Sequence, residues 1–331
     1  VRLRLASFNL ENLGGRGGEV GLAERIAVLR PQLLRLDADL LCLQEVHGTR
    51  PPEGGPRRLL ALDALVEGTA YAGFACASTR SPGEHGAEGW VADIHNLAVL
   101  SRFPIRAVRE LRHERVAPLP FRLTTARPAP VEVRCRFERP ALFVTVELPG
   151  GRPLYLVNLH LKAPLASFVP GQKLGPFAWA SVGGWAEGFF LAAAQRAAQA
   201  LEVRLALEDL FEAEPEALLA VVGDLNAEDR ETPLRILCAE TADTGNGELA
   251  PHALVPTCRS LPEDRRFTAI HHGRRLVLDH ILLSRGLLAF FRGLEVHNET
   301  LDDELAPSER VERATESYHA PLVATFELPE P

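Results

Sequence analysis

Gly223-Asp224-Leu225-Asn226, reached by the apolar run Leu218–Val222, sets a carboxylate and an amide two positions apart. Such a run reads as a buried strand delivering polar side chains at its carboxyl end, where α/β sheets place their chemistry. Asp224 can ligate a hard cation or take a proton from water, and Asn226 can donate to a phosphoryl oxygen without adding negative charge. Alone, the segment is ordinary strand-to-turn chemistry. Four more segments share its character. Ser7-Phe8-Asn9-Leu10-Glu11-Asn12 puts Asn9 and Glu11 on one face of an emerging strand at period two. In Leu41-Cys42-Leu43-Gln44-Glu45-Val46 a carboxylate follows a fully apolar run, where burial would demand a cation, a donor or solvent. Val157-Asn158-Leu159-His160-Leu161-Lys162 presents Asn158, His160 and Lys162 on one face. The fifth joins Leu278-Asp279-His280 to Ser317-Tyr318-His319-Ala320-Pro321.

Taken singly, each has a structural reading. Asn9 and Asn12 could form turns, Glu45 could be a solvated strand-end charge, and an isolated His160 is more often a satisfied core histidine. Lys162 reads as a surface charge. His280 points away from Asp279 in a regular strand and reads as structural, and His271-His272 as part of a loop or hairpin.

The elements that would position these groups are visible as apolar runs. Strands are expected at Leu3–Phe8, Leu40–Leu43, Leu97–Leu100, Leu142–Glu147, Leu154–Leu161, Leu218–Val222, Leu278–Leu283 and Leu322–Phe326. Helical spacing covers Leu22–Leu36, with Pro31 expected to kink or restart it, and Phe189–Phe211. Arg50–Arg57 and Pro118–Pro130 read as exposed loops. Ala163–Gly188 carries Phe168, Phe177, Trp179 and Trp185 among Pro and Gly. It reads first as a loop folding its aromatics onto the core. The sharper reading is a substrate-covering loop stacking on a base or an apolar group. A membrane-contacting loop ranks third, because no basic cluster accompanies it in sequence. Alternating strands and helices, with consecutive strands near Leu142–Leu161, point to a mixed-sheet α/β sandwich. No long linker or repeat divides the chain, so one domain is expected over residues 1–331.

The chain has 331 residues, 46% hydrophobic and 24% charged, ample for a sizeable core. No apolar stretch reaches the roughly 20 residues of a membrane span, and no signal peptide is visible, so a cytoplasmic protein is expected. The net charge of −8 disfavours non-specific attraction to nucleic acid without excluding it, since metal-binding carboxylates contribute to the count. Five scattered cysteines, Cys42, Cys76, Cys135, Cys238 and Cys258, contain no Cys-x-x-Cys and suggest neither disulfides nor zinc.

The order of the motifs, Asn-x-Glu, Gln-Glu, Asn-x-His, Gly-Asp-x-Asn, Leu-Asp-His and a late His-x-Pro, resembles the endonuclease/exonuclease/phosphatase superfamily, the DNase I-like group. The resemblance runs from Ala6 to Phe326 and its combined motifs are highly specific. It implies a four-layer α/β/β/α sandwich with two mixed sheets, and phosphate-ester hydrolysis with Mg²⁺ or Mn²⁺. By position, Glu45 resembles the principal metal-binding carboxylate, with Asn9 orienting the metal or phosphate and Glu11 where some members have an acidic ligand. Asp224 would align and activate water, Asn226 would donate to the phosphoryl oxygens, His160 would contact the phosphate, and Asp279 with His319 resembles the family's Asp–His pair. Asn158, Lys162, Trp179 and Trp185 are the expected substrate contacts. One departure stands out: Ser317-Tyr318-His319 replaces the family's usual Ser-Asp-His, removing a carboxylate that Tyr318 cannot replace near neutral pH. Glu11, Glu45 or the nearby Glu316 would have to compensate. The resulting expectation is a divalent-metal-dependent phosphodiesterase, foremost a nuclease acting on DNA or RNA. A hydrolase of small or lipid phosphoesters is the competing enzyme, and a degenerate binder of phosphorylated ligands the non-enzyme alternative.

Overall fold

The first strand, β1 (Arg2–Leu13), is buried along nearly its whole length, as a strand covered on both faces must be. The computed structural model describes residues 1–15, 21–80, 90–305 and 316–329. After β1 come α1 (Leu22–Arg35), β2 (Leu40–Val46), α2 (Leu60–Val66), β3 (Ala75–Ser78), β4 (Asn96–Ser101) and β5 (Ile105–Leu111). The middle of the chain forms β6 (Leu119–Leu123), β7 (Val131–Cys135), β8 (Ala141–Glu147), β9 (Pro153–His160) and the long α3 (Val182–Ala213). The remainder forms β10 (Leu219–Asp224), α4 (Thr232–Cys238), α5 (Thr241–Thr244), β11 (Val255–Pro256), β12 (Ala269–His271), β13 (Arg274–Leu276), β14 (Asp279–Leu283), α6 (Arg285–Leu288), β15 (Phe291–Val296) and β16 (Leu322–Glu327).

Two six-stranded mixed sheets result, ordered β15-β16-β1-β2-β4-β3 and β11-β14-β10-β9-β8-β5. Each is antiparallel except for its central pair, β1 beside β2 in one and β10 beside β9 in the other. Period two sorts the side chains into layers. Leu3, Leu5, Leu40 and Cys42 meet Leu154, Leu156, Ala220, Val222 and Ile281 between the sheets. Phe8, Leu10, Leu41 and Leu43 face α1 and α2 through Leu29, Leu33, Leu62 and Leu65. Val157, Leu159, Leu219 and Val221 face α3 and α4 through Ala200, Val203, Leu207, Leu234 and Leu237. These are the four layers of a DNase I-like α/β/β/α sandwich.

The eight expected strands all form. Those the apolar runs missed, including β3, β5, β11 and β15, lie at sheet edges, and β5 is largely exposed, so none carries a long apolar run. Pro118–Pro130 is corrected from a loop: β6 lies within it and pairs with β7 in a two-stranded ribbon, opposing Pro120 to Arg134. Each ribbon strand has only one partner, which leaves room for a proline. Helix α1 runs on through Pro31 without a restart. The His271-His272 reading as a hairpin matches the turn between β12 and β13, where His272 and Gly273 both take positive φ.

Helix α3 also corrects an expectation, starting seven residues before Phe189. Ser181 caps it, its hydroxyl accepting from the Gly184 N–H at 3.0 Å. The glycines at 183, 184 and 188 masked this start in the sequence. With 32 residues the helix is about 48 Å long, whereas the eight residues of β9 span about 26 Å. The carboxyl-terminal half packs on the sheet and the amino-terminal half extends beyond it. There Leu191 joins Leu123, Ala126 and Val169 in a small separate core against the β6–β7 ribbon. Two helix carboxylates fasten α3 to the segments that flank β6. Glu187 accepts from the backbone and hydroxyls of Thr124 and Thr125, and the buried Glu202 accepts from the backbone N–H groups of Glu114, Arg115 and Val116.

Candidate active site

Both central parallel pairs end on the same side of the sandwich. Asn9 and Gln44 are register partners at the end of one pair, and His160 and Asp224 at the end of the other. Gly223, which precedes Asp224, has φ +135°, and a Cβ there would sit 2.0 Å from the Leu159 carbonyl oxygen. Only glycine permits that approach of β10 to β9.

Period two alone does not build the site. Regular alternation would send Glu45 with Leu41 and Leu43 toward α1, but its φ of 58° turns the chain. Of the nine described non-glycine residues at positive φ, five border the site: Glu11, Asn12, Glu45, His95 and Asn226. Left-handed backbone of this kind persists where surrounding structure holds it, and it clusters at functional sites. Here it re-aims polar groups that a regular strand would point elsewhere.

The side chains interlock across the sheets. Asn9 Nδ2 donates to Glu45 Oε1 at 3.2 Å and to Asp224 Oδ2 at 3.1 Å, holding two carboxylates side by side. Its Oδ1 accepts from the Glu11 N–H, and the Asn12 N–H donates to Glu45 Oε2. Asp224 Oδ1 accepts from the Asn226 N–H at 2.9 Å, while Asn226 Nδ2 donates to the Leu161 carbonyl and to Asp224 Oδ2. His160 Nε2 stands 3.4 Å from Asp224 Oδ2 and 3.6 Å from Glu45 Oε1. His319 Nδ1 is 2.8 Å from Asp279 Oδ2 and its Nε2 3.9 Å from Asp224 Oδ2. Ser317 Oγ donates to the Asn9 carbonyl and accepts from the His319 N–H, tying the histidine loop to β1.

Burial and mutual repulsion set the charges. Asp224 is raised to about 7, by burial first and then by Asp279 and Glu45, against the lowering effects of His319 and the Asn226 N–H. Burial likewise raises Glu11 to about 7. Burial and Arg139 hold His160 well below the ordinary histidine value, so it is neutral. Burial would lower His319 too, but Asp279 and Asp224 outweigh it and carry the ring well above its ordinary value. An imidazole raised in the folded state contributes stability fully below its unfolded pKa and loses it as pH rises through the folded one. We therefore expect Asp279→Asn to bring the His319 titration, followed by NMR in EDTA, down toward or below the ordinary value. The same substitution should remove this group's share of the loss of stability at alkaline pH.

A divalent cation fits these residues. Glu45, His160 and Asp224 offer ligand atoms within 4.8 Å of one another, as do Asp224, Asp279 and His319. Asp279 Oδ1 is buried and has no hydrogen-bond partner. Carboxylate oxygens crowded at a buried position match a hard cation such as Mg²⁺ or Mn²⁺.

The expected residues do not all converge. Asn9, Glu11, Glu45, His160, Asp224, Asn226, Asp279 and His319 come together. Asn158 does not join them: it is fully buried between the sheets, donating to the Leu43 and Ala98 carbonyls and accepting from Gln44. Its polar atoms are all engaged there, so the substrate-contact expectation gives way to a structural tie. Lys162 pairs with Glu138 at 2.6 Å. Trp179 packs on the small core of the overhang, and Trp185 lies on the first turns of α3, stacked on Phe189. His280 bonds the Ala227 and Val277 carbonyls, away from the site. Glu316 accepts from Gln32 and is raised by burial and by Asp302 rather than by any of the converging site residues.

Several neighbours were not evident in the sequence. Glu304, bonded to His271 at 2.6 Å, lies near enough to raise Glu11 electrostatically and feels His319. His95 Nε2 is 3.1 Å from Asn12 Oδ1, and Arg139 donates to the His160 carbonyl. Polar residues just before β4 and β8 are the only signal that could have pointed to the last two.

Many solved structures share the fold, among them the following three. D. rerio TDP2 complexed with single strand DNA product has 17% identity and a TM-score of 0.54 over 99% of each chain. The human Nocturnin catalytic domain with bound sulfate anion has 17% identity and a TM-score of 0.55 over 99% of this chain and 95% of that one. An endonuclease/exonuclease/phosphatase from Beutenbergia cavernae has 18% identity and a TM-score of 0.54 over 99% and 72%. No curated protein matches the sequence. The profile described as "Endonuclease/Exonuclease/phosphatase family" matches residues 6–308. With that match over most of its length, the chain belongs to the endonuclease/exonuclease/phosphatase family.

Proposed function

We propose that the protein is a divalent-metal-dependent phosphodiesterase that hydrolyses DNA or RNA by in-line attack of water. The observation that carries this reading is the convergence of Asn9, Glu45, His160, Asp224, Asn226, Asp279 and His319 at one end of both sheets. Glu45 would hold the metal, with Glu11 and Asn9 alongside. Bound Mg²⁺ or Mn²⁺ would polarise a phosphoryl oxygen and lower the pKa of a water.

The protein's own groups divide the remaining work. Asp224, near neutral in proton affinity, orients the attacking water and accepts its proton. Neutral His160 donates to the phosphoryl oxygens as charge develops, and the Asn226 amide joins it by releasing the Leu161 carbonyl. Protonated His319, held by Asp279, offsets that charge beside the reacting phosphorus. Nucleic acid as substrate is supported by the family and by the DNA product named for the fold relative.

A second reading, a small or lipid phosphoester, is favoured by the net charge of −8 and by the exposed aromatic residues of the segment that follows β9. Nicking of supercoiled plasmid with Mg²⁺ or Mn²⁺, against EDTA and a His319→Ala control, separates the two. Metal-dependent nicking lost in the variant is the expected result. Intact plasmid with turnover of bis-(p-nitrophenyl) phosphate would overturn the nuclease and leave the second reading. No turnover of either would reject both.

A further inference from the structure

Eight of the eighteen exposed large hydrophobics among the described residues fall between 165 and 190. They occupy the α3 overhang and the loop that leads into it from the site end of β9. Phe177 is 84% exposed, Val182 80% and Phe168 65%. A patch of this kind on a folded surface marks an interaction site. We propose that this face docks on the surface of a phospholipid bilayer and holds the candidate active site beside it. The inference does not depend on which phosphoester the site hydrolyses.

Composition and charge choose this occupant. Lys173 and Glu187 are the only charged residues between 163 and 190, and both are committed inward. Lys173 lies over Trp179 and donates to the Ala166 carbonyl, while Glu187 fastens Thr124 and Thr125. A nucleic-acid track needs cations along it and flat rings throughout, yet Leu165, Leu174 and Val182 offer no stacking surface. Mixed aliphatic and aromatic side chains are what the boundary between headgroups and acyl chains accepts.

A cation stands at the rim instead. The β6–β7 ribbon packs under the overhang through Phe121, Val133 and Cys135, and exposed Arg127, between its two strands, forms no side-chain ion pair among the described residues. Arg127 abuts the loop directly, its N–H donating to the Pro170 carbonyl. An apolar face with an arginine at its edge complements lipid phosphates around a shallowly inserted wedge. Sequence separates Arg127 from the aromatic segment, and the fold reunites them.

Vesicle flotation tests the proposal, with the whole chain in EDTA and vesicles of phosphatidylcholine alone or mixed with phosphatidylglycerol. The wild type and His319→Ala should float equally, which separates docking from turnover. Phe168→Ser with Phe177→Ser should lower the bound fraction roughly tenfold or more, and neither exposed ring is needed for folding. Arg127→Glu should weaken binding most on vesicles containing phosphatidylglycerol. Absence of wild-type flotation at every composition would overturn the proposal. So would a dimer that the Phe168/Phe177 variant dissociates without any flotation, which would make the face an interface between copies. Loss of oligonucleotide binding by that variant, again without flotation, would make it a base-stacking platform and overturn docking equally.

Discussion

Asp224→Asn is expected to lower kcat by about a thousandfold or more while KM changes little, the signature of an interaction used in the transition state. Steady-state kinetics on plasmid or a model diester, with thermal unfolding as a control, would measure it. The substitution keeps size and leaves an oxygen for the Asn226 N–H. It puts an amide nitrogen where Asp224 Oδ2 accepts from Asn9 Nδ2 and faces His160 Nε2 and His319 Nε2. Proton acceptance is lost, and a donor then faces donors. A rise in KM with kcat intact would assign Asp224 to substrate binding and remove it from the chemistry.

Asn158→Ala should have the largest effect on stability. Its side chain bridges the sheets, with Nδ2 at 3.0 Å from both the Leu43 and Ala98 carbonyls and Oδ1 at 2.7 Å from Gln44 Nε2. Truncation strands two carbonyls and weakens the hold on an amide whose own Oε1 already lacks a partner. Each buried polar group left unpaired costs about 1–3 kcal/mol, so a loss of roughly 3–5 kcal/mol is expected in urea unfolding. Molecules that remain folded should keep nearly normal kcat and KM. A selective rise in KM at unchanged stability would return Asn158 to the substrate.

What was legible in the sequence follows from how each group is positioned. Strands covered on both faces carry apolar runs such as Leu218–Val222, and those runs located the sandwich. The runs of β9 and β10 lead to His160 and Asp224 and that of β14 begins at Asp279, which the register sets side by side. Parity fails at Glu45, whose left-handed backbone depends on neighbours distant in sequence. It also fails at Asn158, where depth rather than facing decides what an amide can touch. Glu304, His95 and Arg139 arrive through tertiary packing that no local pattern announces. Strand β6, within Pro118–Pro130, was hidden because its proline and exposed residues resemble a loop.

The division of the site between two sheets bears on how the protein would lose activity. Asn9 and Glu45 belong to one sheet, His160 and Asp224 to the other, and the contacts among them span the plane where the sheets meet. Neither half contains a working set. A partly denatured molecule could keep both sheets and most of its circular dichroism while its sheets slide apart by a water's width, and it would already be silent. Catalysis would then report the seating of the sheets rather than their existence, and it would fail under pressure or mild denaturant before secondary structure does.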